Sequence, residues 1–227
     1  MLVAIHQAEH LPWFGYFHKM KMADKFIILD NVQFKKNYFE NRNRIYTPQG
    51  LHYLTIPVKM KGHLEKKFYE MELLDNWKKK YTKTLEQNYK KAPYFENIEI
   101  IFENIKGYEG KNLFDLNMII IETIKNILDI KTPLIKATEL SPTGQKTELL
   151  IDILKKVNAT AYIVGKSGFD YMDLDLFKEN NINLVEHKVN HPVYKPFNYK
   201  EFMDYPSIVD VIANLSKKQV QRLINEC

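Results

Sequence analysis

Two short apolar runs, Leu2-Val3-Ala4-Ile5 and Phe26-Ile27-Ile28-Leu29, constrain this chain more than any other feature. Each is too short for a helix and has the unbroken hydrophobicity of a buried strand. Pro12 and Gly15 break the chain between them, and Gly15 to Lys25 carries Tyr16, Phe17, Met20 and Ala23 at helical spacing. A strand, loop, helix and strand in this order close as a right-handed crossover. The loop after the first strand and the start of the helix then lie at the carboxyl edge of the sheet, where open α/β sheets bind ligands. His6 and Gln7 end the first strand and Asp30 ends the second, so all three face that edge. A helix opening at Gly15 adds N–H groups and a partial positive charge, which suit a phosphate or carboxylate.

Further along, Lys35 to Gly50 is polar and ends in the turn residues Thr47-Pro48-Gln49-Gly50, and Leu51 to Val58 reads as a strand. A further short strand is expected around Phe68 to Met71. From Asn76 the period becomes helical. Trp77, Tyr81, Leu85 and Tyr89 lie four apart up to Pro93, which predicts an amphipathic helix capped by Asp75 or Asn76. Helices follow over 93–105 and 111–128, the latter burying Leu113, Leu116, Ile120, Ile124 and Ile127. The three form either an insertion or a layer over the sheet. Strand and helix then alternate again: strands over 133–138, 161–164 and 182–186, helices over 145–157 and 174–180, a helix capped by Ser207, and a last one from Lys217. The expected fold is α/β, a mostly parallel Rossmann-like sheet flanked by helices with a helical insertion or layer in the middle. Residues 1–75 and 131–227 are expected to form one compact domain around the helical segment 76–130.

No run approaches the ~20 apolar residues of a membrane span, and nothing at the N-terminus marks secretion, so the cytoplasm is the default location. Cys227 is the single cysteine and the last residue, which excludes an internal disulfide and disfavours thiol catalysis. The net charge of +5 suits anionic substrates such as nucleotides. Lys78-Lys79-Lys80, Lys90-Lys91 and Lys217-Lys218 read better as solvated helix faces than as an RNA footprint. The seven histidines form no zinc signature, so no metal is expected, and the serine-hydrolase elbow is absent.

Four constellations carry chemistry. His6, at a strand end, is suited to act as a general base or phosphate donor. Asn41-Arg42-Asn43-Arg44 alternates, so in extended backbone both arginines share one side, a spacing suited to bidentate phosphate contacts. Gly165-Lys166-Ser167-Gly168 follows a strand directly and leads to Tyr171 and Asp173; its backbone can approach a ligand and Lys166 with Ser167 can bind phosphate, although the spacing is not that of a Walker loop. Gly144-Gln145-Lys146-Thr147-Glu148 puts a cation and a carboxylate at a helix start, where Thr143 or Thr147 as a cap and Glu148 as a first-turn acid explain the pattern equally simply.

Ile5-His6-Gln7, Leu11-Pro12-Trp13, Gly15-Tyr16-Phe17, Leu29-Asp30, Val32-Gln33-Phe34, Asn41-Arg42-Asn43-Arg44-Ile45 and Ile56-Pro57-Val58 resemble the WbqC-like protein family, as do Gly144-Gln145-Lys146-Thr147-Glu148, Gly165, Tyr171 with Asp173, and Pro206-Ser207-Ile208-Val209-Asp210. The resemblance covers most of the chain, and His10 and His18 lie outside its pattern. It implies bacterial surface-polysaccharide (O-antigen) biosynthesis, a nucleotide-linked amino sugar as partner, and a transferase that acylates or aminoacylates the sugar amine. The donor would be acyl-CoA, aminoacyl-tRNA (with tRNA then a partner) or an amino acid with ATP. His6, Asp30 and Glu148 are the expected catalytic residues. Gln7, Trp13, Gly15, Gln33, Asn41, Arg42, Asn43, Arg44, Lys146, Gly165, Lys166, Ser167, Gly168, Tyr171 and Asp173 are expected to bind substrate. The strand ending in His6-Gln7 is also similar to the phosphate-binding start of class I aminoacyl-tRNA synthetases, although Tyr16 follows Gly15 where their His-x-Gly-His signature has histidine. That likeness supports an ATP-dependent carboxylate-activating enzyme as one alternative; a non-catalytic sugar-nucleotide binding protein is another.

Overall fold

The computed structural model describes residues 1–201 and 205–226, and Cys227 lies outside the described residues. The chain opens with β1 (Leu2–His6), α1 (Phe14–Met22) and β2 (Lys25–Ile28), the crossover expected from the two apolar runs. β1 pairs in parallel with β2, Ala4 opposite Phe26 and His6 opposite Ile28. The helix ends earlier than its apolar spacing predicts, because Asp24 turns the chain and accepts a hydrogen bond from the Leu2 N–H at 2.7 Å.

β3 (Arg42–Thr47) and β4 (Gly50–Thr55) follow as an antiparallel hairpin outside the main sheet. This corrects the expectation of a polar loop up to Gly50. The strand is masked in sequence by Asn43, whose buried amide donates to the carbonyls of His10 (3.3 Å) and Leu11 (2.9 Å). The strand expected near Phe68 is instead a short 3-10 turn, Phe68–Glu70, closed by the Glu70 carboxylate accepting from the Lys67 N–H.

Three helices follow, α2 (Trp77–Tyr89), α3 (Glu96–Gly107) and α4 (Leu113–Ile127). Asn76 occupies the cap position of α2 without a side-chain cap bond, whereas Asn112 caps α4 through the Asp115 N–H. The rest is β5 (Leu134–Lys136), α5 (Lys146–Lys156), β6 (Ala161–Val164), α6 (Leu174–Glu179), β7 (Asn183–Glu186), α7 (Ile208–Asn214) and α8 (Lys217–Glu226). Ser207 caps α7 as expected, accepting from the Val209 N–H.

The five strands form one all-parallel sheet in the order β5-β2-β1-β6-β7. The chain winds outward from β1 to β5 on one side, then returns to place β6 on the other. The topological switch point therefore lies between β1 and β6. Alternation along the strands assigns the faces. Val3, Ile5, Ile27, Leu29 and Val164 pack against Leu150, Ile153 and Leu154 of α5 and Phe177 of α6. Ala4, Phe26, Ile28 and Ile163 share the opposite buried cluster with Phe17 and Met20 of α1 and with α2, α3, α4, α7 and α8. The middle helices thus lie as a layer on the α1 side of the sheet.

Buried polar bonds join that layer to the loops of the carboxyl edge. Asn117 of α4 is fully buried; its amide donates to the carbonyls of Ala8 and Glu40, both at 2.7 Å, and its oxygen bonds His10 Nδ1 at 2.8 Å. His10 bonds Tyr81 of α2 through its other nitrogen. Asp210 of α7 accepts from Tyr89 (2.9 Å) and Tyr194 (2.8 Å). Removing one such hub strands several buried groups, each costing about 1–3 kcal/mol. Asn117→Ala is expected to lower the unfolding free energy by roughly 2–4 kcal/mol in equilibrium urea denaturation; a loss under roughly 1 kcal/mol would show that the amide is dispensable.

Candidate functional site

Parallel pairing brings the ends of β1 and β6 to one edge, so His6 and the Gly165 to Gly168 turn close adjacent strands at the same end of the sheet. His6 continues the face of Ala4, toward α1, where its ring meets Tyr16 edge-on at 5.1 Å. The Tyr16 hydroxyl donates to the Gln7 carbonyl at 3.1 Å. The loop then turns Glu9 back beneath His6, with 3.7 Å between His6 Nε2 and Glu9 Oε1.

A second carboxyl arrives from the loop after β2. The His10 N–H donates to the Phe39 carbonyl at 2.7 Å, and Asn117 holds the carbonyls of both Ala8 and Glu40, so Glu9 and Glu40 descend from two loops fastened side by side. Both are buried, 5% and 1% exposed. Glu40 Oε2 accepts from the Lys35 N–H at 2.9 Å, whereas Glu9 Oε2 and Glu40 Oε1 have no hydrogen-bond partner among the described residues. Lys19 of α1 is buried within electrostatic reach of Glu9, and His18 Nδ1 bonds His187 Nε2, just beyond β7, at 2.9 Å. Exposed Tyr38 and Tyr171 stand at the margin, close enough for the Tyr38 hydroxyl to feel Glu9, Glu40 and Tyr171.

Electrostatics follow from placing these groups out of water. Burial, with repulsion from Glu40, raises Glu9 to about 8, although Lys19 opposes the shift. Burial raises Glu40 to about 7 against the pull of its bond from Lys35. Burial lowers Lys19 to about 8, with Glu9 resisting. Burial and the Lys19 cation drive His6 down to about 3, and His187 falls to about 4 for the same reasons. His6 is therefore neutral at physiological pH. Its Nδ1 lies 3.3 Å from the Gln7 carbonyl, which can only accept, so the ring proton belongs on Nδ1 and the Nε2 lone pair faces Glu9. Burial pushes the two carboxyls toward the range useful for proton transfer at neutral pH, and the imidazole lone pair faces one of them at 3.7 Å.

Other expected site residues divide by location. Gly165, Lys166, Ser167, Gly168 and Tyr171 lie at the same edge, Lys166 and Ser167 exposed in a 3-10 turn. Asp30 is tied up structurally, its oxygens accepting from the Thr138 N–H (3.0 Å) and hydroxyl (2.5 Å). Glu148 and Lys146 start α5, which packs on the opposite face of the sheet from His6, and Glu148 lines an outer groove with Asp152, Lys155 and Asn180. Asp173 caps α6 through the Leu176 N–H. Gln33 bonds the Leu64 carbonyl. Asn41 bonds the Ile56 carbonyl, Arg42 lies 4.1 Å over the Tyr53 ring, and Arg44 donates to the Tyr205 carbonyl. At the start of α1 the Trp13 indole lies over Gly15 so tightly that an added Cβ would fall 2.2 Å from the ring. Among the described residues, no group of three or more His, Cys, Asp and Glu side chains is arranged to hold a metal.

Sequence reasoning missed Glu9, Lys19, Glu40 and His187. Glu9 follows His6 by three residues in the strand-end loop, and Lys19 shares the buried side of a helix with Tyr16 and Met20; both were available signals. Glu40 had none, because its burial depends on Asn117, 77 positions away.

The raised Glu9 value has a consequence for stability. The folded state keeps a proton that the unfolded chain releases above its ordinary value of 4.5, so this residue destabilises the fold progressively as pH rises from 4.5 through about 8. Glu9→Gln is expected to gain stability over the parent at pH 8 relative to pH 5, by roughly 2–4 kcal/mol. Thermal unfolding at the two pH values checks this, and an equal difference at both would contradict the burial of an ionisable carboxyl.

The chain is 34% identical over 226 residues to an uncharacterized protein of Mycobacterium tuberculosis, covering 94% of this chain and 93% of the relative. No solved structure matches. Residues 7–222 match the WbqC-like protein family, a span that includes all of the carboxyl-edge residues but His6 itself. The chain belongs to the WbqC-like protein family.

Proposed function

We propose that the protein is a group transferase that acylates or aminoacylates the amino group of a nucleotide-linked sugar in bacterial surface-polysaccharide biosynthesis. The observation that carries the reading is the Glu9–Glu40 pair, two buried carboxyls each with an unpaired oxygen, with a neutral imidazole near Glu9 at the switch point of a parallel sheet. A sugar ammonium is unreactive until it loses a proton, and a carboxyl poised near 8 is matched to accept it. Glu9 is the general base. The freed amine attacks the donor carbonyl, the carbon–nitrogen bond forms and the carbon–leaving-group bond breaks, and the proton lost by the attacking nitrogen goes to the departing thiolate, alkoxide or phosphate. Lys19 is placed to offset negative charge that develops on the carbonyl oxygen.

His6 stands with Nε2 3.7 Å from Glu9 and acts as a positioning neighbour, a change from acting as the acid or base itself, because a ring held near 3 is a weak base. Lys166 and Ser167 stay candidates for the phosphates, and Tyr38 and Tyr171 for stacking on a ring of the substrate. Acyl-CoA, aminoacyl-tRNA, and an amino acid with ATP are the donors to be tried. The third would release pyrophosphate, the signature of the carboxylate-activating alternative.

The test is product formation from a nucleotide-linked amino sugar with each donor, followed by mass spectrometry. Glu9→Gln is expected to lower kcat by about 10²–10⁴, and His6→Ala by a smaller factor with a shifted pH profile. Binding without turnover under any donor would leave a sugar-nucleotide binding protein. Full turnover by Glu9→Gln would remove Glu9 as the base.

A further inference from the structure

We propose that the outer face of the β3–β4 hairpin, continued by Tyr205 and Trp13, binds the unpaired, single-stranded acceptor end of a tRNA, which selects aminoacyl-tRNA among the three donors. This rests on the reading that the protein is a transferase, and it assigns recognition of the donor to an exposed surface separate from the carboxyl pair.

Strand alternation buries Asn43 and Ile45 and leaves Arg42 and Arg44 on the opposite side of β3. Pairing sets Tyr53 opposite Arg44, and the Arg42 guanidinium stacks over the Tyr53 ring at 4.1 Å. Tyr53 is nevertheless 53% exposed. Arg44 reaches away from the hairpin and donates to the Tyr205 carbonyl at 3.1 Å. The ring of Tyr205, itself 48% exposed, meets the Trp13 indole edge-on at 5.3 Å, and the indole stacks on His191 at 6.3 Å. Each of two exposed tyrosines therefore has an arginine at its side. Ser207 fastens the segment in place: its N–H donates to the Arg44 carbonyl at 2.8 Å, and it bridges Trp13. Tyr205 sits at φ 62°, a left-handed backbone that is costly for a tyrosine, and such strain clusters where ligands are clamped.

Charge and spacing identify the partner. Among the described residues neither guanidinium pairs with a carboxylate, and the Nε atoms of both have no hydrogen-bond partner. Alternate residues on a strand lie roughly 6.6 Å apart, about the separation of consecutive phosphates in an extended nucleic-acid strand. Aromatic rings beside guanidinium groups suit a single strand, which stacks a base on each ring and sets a phosphate against each arginine. A lone nucleotide or coenzyme A carries one base and would use one tyrosine, and a duplex keeps its bases in its own stack. The net charge of +5 adds attraction at longer range. The strip also leads to the reaction edge. Trp13 shares a loop with Glu9, and the Asn43 amide holds the His10 and Leu11 carbonyls of that loop. An acceptor end lying along the strip thus carries its terminal ester toward Glu9.

Fluorescence anisotropy with a short labelled single-stranded RNA ending in CCA tests this without any reaction. The parent is expected to bind the strand at least about 10-fold more tightly than the same sequence held in a duplex. Tyr53→Ala is expected to weaken binding by about 5- to 100-fold, while Tyr53→Phe, which keeps the stacking ring, stays within about twofold of the parent. Arg42→Gln is expected to reduce the slope of log affinity against log salt by about 0.7, the share of one phosphate on a single strand. Thermal unfolding of each variant, matching the parent, shows that the hairpin is kept. No binding of the strand, equal binding of the duplex, ADP bound as tightly as the strand, or parent-like binding by folded Tyr53→Ala and Arg42→Gln would overturn the proposal. Strand binding with no product from any donor keeps the RNA surface and removes the transfer reading. Product from acyl-CoA, or from an amino acid with ATP, by a protein that binds no strand removes the RNA surface alone.

Discussion

β1 is the strand on which the molecule depends. It pairs in parallel on both sides, with β2 through Val3 to His6 and with β6 through Leu2 to Ala4. That double pairing fixes the order β5-β2-β1-β6-β7 and leaves the gap between the β1 and β6 ends as the place where consecutive loops diverge. Strand alternation then separates the chemistry. Val3 and Ile5 go to the core beneath α5 and α6, and His6 goes to the α1 side, where Tyr16, Lys19 and the two glutamates gather. A one-residue slip of β1 would exchange those faces and bury the imidazole among aliphatic side chains.

The site is costly in stability, and the layer of helices above it supplies the restraint. Carboxyls prefer water, and holding two of them side by side in a dry loop junction opposes folding. Asn117 answers this from α4 by fastening the Ala8 and Glu40 carbonyls, and His10 and Tyr81 extend the same bonding into α2. The helical stretch between the two halves of the sheet therefore supports the carboxyl-edge loops directly. Functional sites commonly carry such opposed groups, which are held by structure that over-determines their position.

Much of the fold was legible because it is written in local pattern. The runs Leu2 to Ile5, Phe26 to Leu29 and Ala161 to Val164 gave three central strands, and the four-residue spacing from Trp77 gave α2. The placing of His6, Gln7 and Asp30 at the carboxyl edge followed from crossover handedness, whereas the adjacency of the strands that end at His6 and Gly165 is set by the sheet order, which local pattern does not carry. The hairpin strand β3 was hidden because its inward Asn43 is satisfied by carbonyls of a distant loop, so a buried position looks polar. The Phe68 turn was misjudged because three apolar or aromatic residues in sequence do not distinguish a 3-10 turn from a strand. In the site, motif logic favoured Asp30 and Glu148, which the structure uses for a Thr138 tie and an outer helix face. Glu9 and Lys19 carried weak signals in the strand-end loop and the helix face, whereas Glu40 is ordinary in sequence, and all three owe their shifted character to burial, a tertiary property.

The central claim is that Glu9 and Glu40 are buried, ionisable and poised for proton exchange in the free protein. Residue-resolved carbon-13 titration of their carboxyl groups, assigned with single Gln variants, measures this without any substrate. The expected result is Glu9 titrating at about 8 and Glu40 at about 7, with Glu40 lower because the Lys35 N–H stabilises its charged form. If both titrate near the ordinary glutamate value of about 4.3, the pair is solvated, and the account of this edge as a reactive centre is contradicted.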